Sequence, residues 1–343
     1  MTIAFQISSV EEFNYHCCIS LAKKYPGSTF LFISDNNALE HKLTNANIHF
    51  IPLHKSYFNF YWYNYKLTTL LKKNRVDFFF SNTHLCSSRS TINQFIIIDN
   101  PSLLKKSETK KSIAKADSII VRNEYIKLLV LNAVNNINNK IALIPLGVSD
   151  ILHAPDNNQK DIVKNKYTEG KDYFLIDSLS ANEHQIIVQL KAYSLFKKWQ
   201  KSNLKLLLVH TKKNEQVINK VITNYKYRND VVLISTLDNE VISAAYAVIF
   251  FSEMYIIGNF ILSAMRLQVP VIIPKDDYFI SSFESTGLYF IENDKDLSEK
   301  MIDLYKNEEY RNKLITTAKN KVDLLEWDTI AEKVWGTIIS PDI

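Results

Sequence analysis

The sequence predicts an α/β protein built from two doubly wound halves. Three observations predict it. Short apolar runs alternate with amphipathic stretches along the chain, the runs are apolar nearly throughout rather than at every second position, and the alternation pauses once and then restarts. Continuous apolar strands separated by helical stretches belong to parallel sheets covered on both faces. A chain of 343 residues exceeds one ordinary core and suits two domains.

In the first half the strands are expected at residues 2–8, 29–34, 48–53, 77–82, 95–100, 118–123 and 141–147. Helical patterns lie between them at 10–24, 61–73, 103–116 and 124–135. The stretch 149–172 is polar, carries Pro155 and Gly170, and reads as an inter-domain linker. Strands then resume at 173–179, 204–210, 230–236, 246–252 and 270–274. Their helices fall at 183–200, 215–225, 239–245, 259–267, 297–306 and 308–326. Two such halves are expected to face each other across a cleft at the carboxyl ends of their strands.

Composition excludes several classes. Hydrophobic residues make up 46% and charged residues 22%, which are globular values. No run approaches the roughly 18 apolar residues of a membrane span, and the start MTIAFQISSVEEF has no secretory pattern. Cys17, Cys18 and Cys86 have no metal spacing and fit a reducing cytoplasm, with the first two as buried small hydrophobes. There are only six glycines, and neither GxGxxG nor a P-loop occurs, which argues against a conventional dinucleotide or P-loop enzyme. Residues 1–150 hold seventeen Lys and Arg against ten Asp and Glu, a net of +7; the whole chain is +5, so the remainder is −2. This asymmetry suits an anionic partner of the first half or a solvated lysine-rich surface. No nucleic-acid motif accompanies it.

The stretch YAVIFFSEMYIIGNFILSAMRLQVPVI (246–272) resembles the nucleotide-sugar segment of GT-B glycosyltransferases, in particular the retaining family 4 (group 1). Ser252, Gly258, Leu262, Ala264, Met265, Pro270 and Val271 fall on its motif. The segments 95–103, 115–127, 140–150 and 326–335 resemble further family segments in order. The resemblance implies a GT-B fold: residues 1–150 as a Rossmann-like acceptor-side domain, 151–326 as the nucleotide-sugar side, and 327–343 as a helix crossing back. The donor motif is degenerate. Tyr255 and Ser263 stand where the family has two glutamates, with Glu253 nearby. In the loop DSLSANEH, Asp177, Ser178 and Glu183 replace the family's glycine, arginine and lysine, and SSVEE (8–12) replaces a glycine-rich loop.

On the donor side the expected binding residues are Ser178, Glu183, His184, His210, Thr236, Leu237, Glu253, Ile257, Gly258, Asn259 and Ser263. Gly258 either opens a helix whose free amides receive an anion or permits a tight turn. Ser263 bonds ribose or fills space, and His184 binds phosphate or caps its helix. Thr236 and Leu237 need only their backbone groups to read a base. On the acceptor side, Asp99 either orients an attacking hydroxyl or caps the helix after Pro101, and His84 meets the acceptor or is a plain loop histidine. Arg122 and Lys127 either supply positive charge to a phosphate or are surface charges. The aromatic run YFNFYWYNY (57–65), with lysines around it, suits a membrane interface, a protein surface or a sugar-stacking groove.

The resemblance thus implies transfer of a sugar from a nucleotide-sugar donor to a glycan or lipid-linked acceptor, in cell-surface polysaccharide or glycoconjugate synthesis. It implies no metal or other cofactor beyond the donor itself, and a cytoplasmic protein held peripherally at the inner face of the membrane. The alternative is a catalytically silent GT-B protein that binds or stabilises an active transferase. An epimerase acting on nucleotide sugars is a weaker third reading.

Overall fold

A computed structural model describes residues 1–10, 12–43, 45–53, 61–149, 152–251 and 254–339, save the side chains of 254–257. It divides into two compact units, Met1–Gly147 with Leu325–Ile343, and Val148–Leu324.

The first unit is built on a seven-stranded parallel sheet in the order β3-β2-β1-β4-β5-β6-β7. The strands are β1 (Thr2–Gln6), β2 (Thr29–Ser34), β3 (Ile48–Pro52), β4 (Phe78–Phe80), β5 (Asn93–Ile98), β6 (Ser118–Val121) and β7 (Ile141–Leu143). Their apolar runs serve two cores because successive side chains point to opposite faces. On one face Phe5, Phe80 and Phe95 stack across β1, β4 and β5, with ring centroids 4.6 and 4.3 Å apart. The helices Phe13–Lys24 and Trp327–Ile339 cover them, burying Cys17, Cys18, Ile330 and Val334. On the other face Ala4, Leu31, Ile33 and Phe79 lie under Trp62, Tyr63, Leu67 and Leu71. That covering segment is π-helical over Trp62–Leu67 and α-helical over Thr68–Lys73. The wide turn brings Asn64 and Thr68 inward, where Thr68 Oγ1 meets Ser87 Oγ at 2.9 Å and Asn64 Oδ1 accepts from the Ser88 amide at 2.8 Å. Burial pushes the Cys17 and Cys18 thiols well above their usual range.

Rings hold the C-terminal helix in this unit. Trp327 stacks on His16 at 4.3 Å and meets Phe13 edge-on at 5.8 Å, while Trp335 stacks on Tyr25 at 3.8 Å. Lys24 pairs with Glu332 beside them. Burial pushes the His16 imidazole down to about 4, so it meets the indole as a neutral ring at pH 7.

The second unit is built on a six-stranded parallel sheet in the order β10-β9-β8-β11-β12-β13. Its strands are β8 (Tyr173–Asp177), β9 (Lys205–Val209), β10 (Val231–Ile234), β11 (Ala247–Phe250), β12 (Val271–Pro274) and β13 (Leu288–Phe290). The helix Glu183–Gln200 starts at a reciprocal capping box, with Asn182 accepting from the Gln185 amide and Gln185 from the Asn182 amide. A second such box, Asp156 with Gln159, starts the helix Asn157–Thr168. That helix occupies half of the stretch expected to be a linker. Thr168 is its one buried residue, so no apolar periodicity marked it. The strand β13 and the helix Asp277–Phe283 also went unanticipated, being three and seven residues long.

Gly147, in the segment IPLGVSD, lies flat against the indole of Trp327. A Cβ there would fall 2.5 Å from two ring carbons. The ring is held against His16 and Phe13, and yielding would break those stacks. Gly147→Ala is therefore expected to cost about 1–3 kcal/mol through overpacking, read as a lowered denaturation midpoint, whereas Gly336→Ala, at a glycine with open space, leaves the midpoint unchanged or raises it.

Candidate functional site

In open parallel sheets ligands bind outside the carboxyl ends of the strands, where strand order reverses. The first sheet reverses between β1 and β4, and the second between β8 and β11. Each unit thus has one such point.

At the first, the loops after β1 and β4 are knitted by side chains. Asn14, 1% exposed at the start of its helix, donates from Nδ2 to the carbonyls of Gln6 and Phe80 at 3.0 and 3.3 Å, tying the two strand ends together. Glu12 Oε2 accepts the Ser8 amide at 2.9 Å and Asn82 Nδ2 at 3.4 Å, and Asn82 Nδ2 also reaches Ser8 Oγ at 2.9 Å. Tyr63 Oη meets Thr83 Oγ1 at 2.7 Å. Gln6, Ser8, Asp35, Tyr63, Asn82 and Thr83 line a cavity of about 210 Å³ at this point. Burial raises the Glu12 carboxyl above its ordinary value against the opposing pull of its hydrogen bonds to Ser8 and Asn82. Sequence reasoning missed this set. The available signal was a carboxylate in SSVEE where a phosphate loop carries glycine.

His84 and Asp99 follow neighbouring strands, β4 and β5. Burial lowers the His84 imidazole, Lys106 lowers it further, and Glu108 and Asp99 pull it back. It is therefore neutral at pH 7, and its Nε2 is buried without a hydrogen-bond partner. The cap after β5 is not Asp99. Asn100 Oδ1 accepts the Ser102 amide at 2.9 Å, since the cap must directly precede Pro101.

Arg122 is no surface cation: it is 7% exposed, lies over the Phe13 ring at 4.0 Å and donates to the Ile144 carbonyl at 3.2 Å. Lys127 is answered by Glu124, 3.3 Å away on the same helix.

At the second point the loop after β8 is closed by its own hydrogen bonds. Ser178, fully buried, donates to Gln189 Oε1 at 2.7 Å, because its side chain points into the sheet–helix core. Asp177 Oδ1 accepts the Leu179 amide at 3.0 Å. Asn214 Nδ2 donates to the Ser178 carbonyl at 2.6 Å, and Thr211 Oγ1 to that of Leu179 at 3.5 Å. Ser178 therefore does not present its hydroxyl to a ligand. Glu183 is exposed and pairs with Lys220 at 3.4 Å. Its helix is capped by Asn182, not by His184, which is exposed. His210 is half-buried with Nδ1 3.3 Å from the Thr211 carbonyl. Thr236 is exposed and Leu237 half-buried, just past β10.

Gly258 does not precede a helix. The helix runs Met254–Arg266, so Gly258 and Asn259 are its fifth and sixth residues and Ser263 its tenth. The amide of Gly258 thus lies past the free first turn. The apolar run MYII is compatible with helix, which moved the start forward from the glycine. Ser252 and Glu253 lie outside the described residues, as do the side chains of Tyr255 and Ile257 and the part of the aromatic run from Tyr57 to Phe60.

Among the described residues no group of three or more His, Cys, Asp and Glu could hold a metal ion, and no helix is long and apolar enough to cross a membrane.

The burial difference between Ser178 and Glu183 separates two substitutions that would return the family's charges. Ser178→Arg forces a guanidinium into a sealed core and is expected to cost more than about 2 kcal/mol. Glu183→Lys exchanges a solvated pair and should stay within about 1 kcal/mol of the parent. Chemical denaturation of both variants checks this.

Residues 157–321 match the family described as glycosyl transferases group 1. No curated protein sequence matches the chain. Among solved structures, a glycosyltransferase from Rickettsia africae ESF-5 is similar at 16% identity and a TM-score of 0.75, over 98% of each chain. HepE (Alr3699) of Anabaena, solved with UDP and glucose, is similar at 13% identity and 0.73, over 99% of this chain and 100% of its own. WaaG, a glycosyltransferase involved in lipopolysaccharide biosynthesis, is similar at 13% and 0.72, over 98% of this chain and 99% of its own. The two parallel sheets and these neighbours show a GT-B fold, and residues 157–321, within the second unit, match the glycosyl transferases of group 1.

Proposed function

We propose that this protein transfers a sugar from a nucleotide-sugar donor to a glycan or lipid-linked acceptor. The observation that carries the reading is the extent of the group 1 match, which spans the second sheet from before β8 to beyond β13 and so includes its switch point. The Anabaena neighbour was solved with UDP and glucose, which supports a nucleotide-sugar donor here. Backbone groups past β9 and β10, around His210, Thr236 and Leu237, hold the nucleotide in this reading, and helix N-termini offset the charge of the departing phosphate. On the acceptor side His84, neutral at pH 7, is a base for the attacking hydroxyl, with Asp99 beside it.

A second reading, a silent partner of an active transferase, is favoured by the closed loop after β8. Its position for a cationic side chain holds Ser178 bonded to Gln189. Calorimetric titration with UDP, GDP and CMP and their sugars separates the two. Saturable binding of at least one, with slow hydrolysis or transfer, is expected. Heat from none of them would sink the transferase reading, and binding with no turnover would favour the partner.

The surface around Tyr61 and Tyr65 supports a peripheral membrane contact. The two rings are 50% and 39% exposed and stack at 5.3 Å, with Arg89 over Tyr65 at 4.3 Å. Lys66 and Lys73 line the same open groove. Aromatic rings beside lysines suit an anionic lipid interface. Co-sedimentation with vesicles containing phosphatidylglycerol, lost with neutral phosphatidylcholine and reduced several-fold in a Tyr61→Ser/Tyr65→Ser variant, is the expected outcome. Equal sedimentation with both lipids would reject it.

A further inference from the structure

The cavity between the ends of β1 and β4 carries an inference that concerns which ligand the first unit accepts. A loop after the first strand of a Rossmann-like sheet ordinarily turns its amides toward an anion. Here an anion belonging to the chain already takes that place. Glu12 reaches back from the start of its helix, and its Oε2 receives the Ser8 amide at 2.9 Å. Ser9 also offers its backbone to this carboxylate. Asn82, from the loop after β4, adds Nδ2 to the same oxygen at 3.4 Å. The loop's donors are thus spent on an internal carboxylate, and Asp35 adds a second carboxylate to the cavity lining.

Besides the Asp35 carboxylate, the groups that line the cavity are uncharged. Gln6 Oε1 and Thr83 Oγ1 lie in one hydrogen-bonded set with Tyr63 Oη and the buried Ser81 Oγ, at separations of 2.7–3.4 Å where they touch, and Ser8 Oγ accepts from Asn82 Nδ2 at 2.9 Å. Asn82 Oδ1 is buried and has no partner in the protein. Hydroxyls that both donate and accept can exchange partners with a polyhydroxylated guest at little cost. An unpaired buried amide oxygen gains from any donor that arrives. Trp62, on the same wall, offers an apolar surface to the ring carbons. A volume of about 210 Å³ admits a single sugar ring.

We propose that this cavity binds an uncharged sugar ring through Ser8, Asn82 and Thr83, and that the Glu12 and Asp35 carboxylates turn phosphorylated sugars away. The choice of a sugar as the guest rests on the glycosyl-transfer reading. The exclusion of phosphate rests on the local geometry alone.

Saturation-transfer NMR on the full chain tests it with the methyl glycosides of glucose, galactose, mannose and N-acetylglucosamine, against glucose 6-phosphate. At least one neutral glycoside is expected to receive saturation while the phosphate receives none. Asn82→Ala, and separately Thr83→Val, should cut the signal at least fivefold. Far-ultraviolet dichroism identifies a variant that has unfolded, in which case the other decides. Glucose 6-phosphate binding as well as the neutral glycosides would overturn the proposal. So would a signal unchanged in whichever variant stays folded, or silence from all four glycosides. Titration of UDP into the same samples keeps the two readings apart: a glycoside signal without UDP binding sinks the donor reading and leaves this cavity standing, and the reverse sinks only this proposal.

Discussion

The first unit is not a continuous piece of chain, and the contact of Trp327 with Gly147 is what makes it whole. The backbone leaves that unit at Gly147 and returns at Leu325. Trp327, the third residue back, lies on Gly147, with His16 stacked beneath it and Phe13 at its edge. An aromatic pair of this kind is worth about 0.5–1.5 kcal/mol beyond its buried area. Trp335 on Tyr25 repeats the device two turns later. Without these stacks the helix Trp327–Ile339 would hold to Phe13–Lys24 only through its aliphatic face and the Lys24–Glu332 pair, and the face of the sheet carrying Phe5, Phe80 and Phe95 would lose part of its cover. The neutral state of His16 follows from the same packing. A charged imidazole packed beside the Trp327 indole and the Tyr15 ring would forfeit its hydration.

With that face sealed, the carboxyl ends of β1 and β4 are set by the helix that the stack holds. Asn14 sits one residue after Phe13 and clamps both strand ends through Gln6 and Phe80. The two switch points then diverge in how they treat charge. The first carries its own anion, Glu12, on the loop amides. The second spends its loop carbonyls on Asn214 and Thr211 and its buried hydroxyl on Gln189. Among the described residues, the loops after β1 and β8 are bonded to neutral or acidic partners within the chain.

Most of the fold was legible because parallel strands covered on both faces must be apolar at every position, and such runs stand out. The start of the helix Glu183–Gln200 carries a sequence signal, the capping box of Asn182 with Gln185. The helix Asn157–Thr168 has the same signal in Asp156 and Gln159, yet it faces water almost all round and left no apolar stripe to accompany it. The site was less legible. The resemblance puts Ser178 at a ligand-facing position, but a side chain's direction depends on a partner, Gln189, eleven residues away in sequence. Gly258 looked like a helix start because glycine usually interrupts helices, whereas here the turn before it is helical too. The pairing of Glu12 with Asn82 spans seventy residues and joins two loops, which no local pattern reports.

The basic excess of the first 150 residues takes on meaning only when it is located. Arg122, the cation best placed by sequence to face a phosphate, is buried over Phe13 and bonds a carbonyl. Lys127 is paired. Many of its exposed cations lie instead on the helical segments that flank the sheet, Lys66, Lys72 and Lys73 on one and Lys105, Lys106, Lys110, Lys111 and Lys115 on another. Coulombic attraction between solvated charges decays over about 8–10 Å at physiological salt. Cations spread along outer helices therefore act on an extended surface that approaches them. The positive charge of this half thus belongs to the question of what the protein docks against, while the carboxylates of Glu12 and Asp35 govern what enters its cavity.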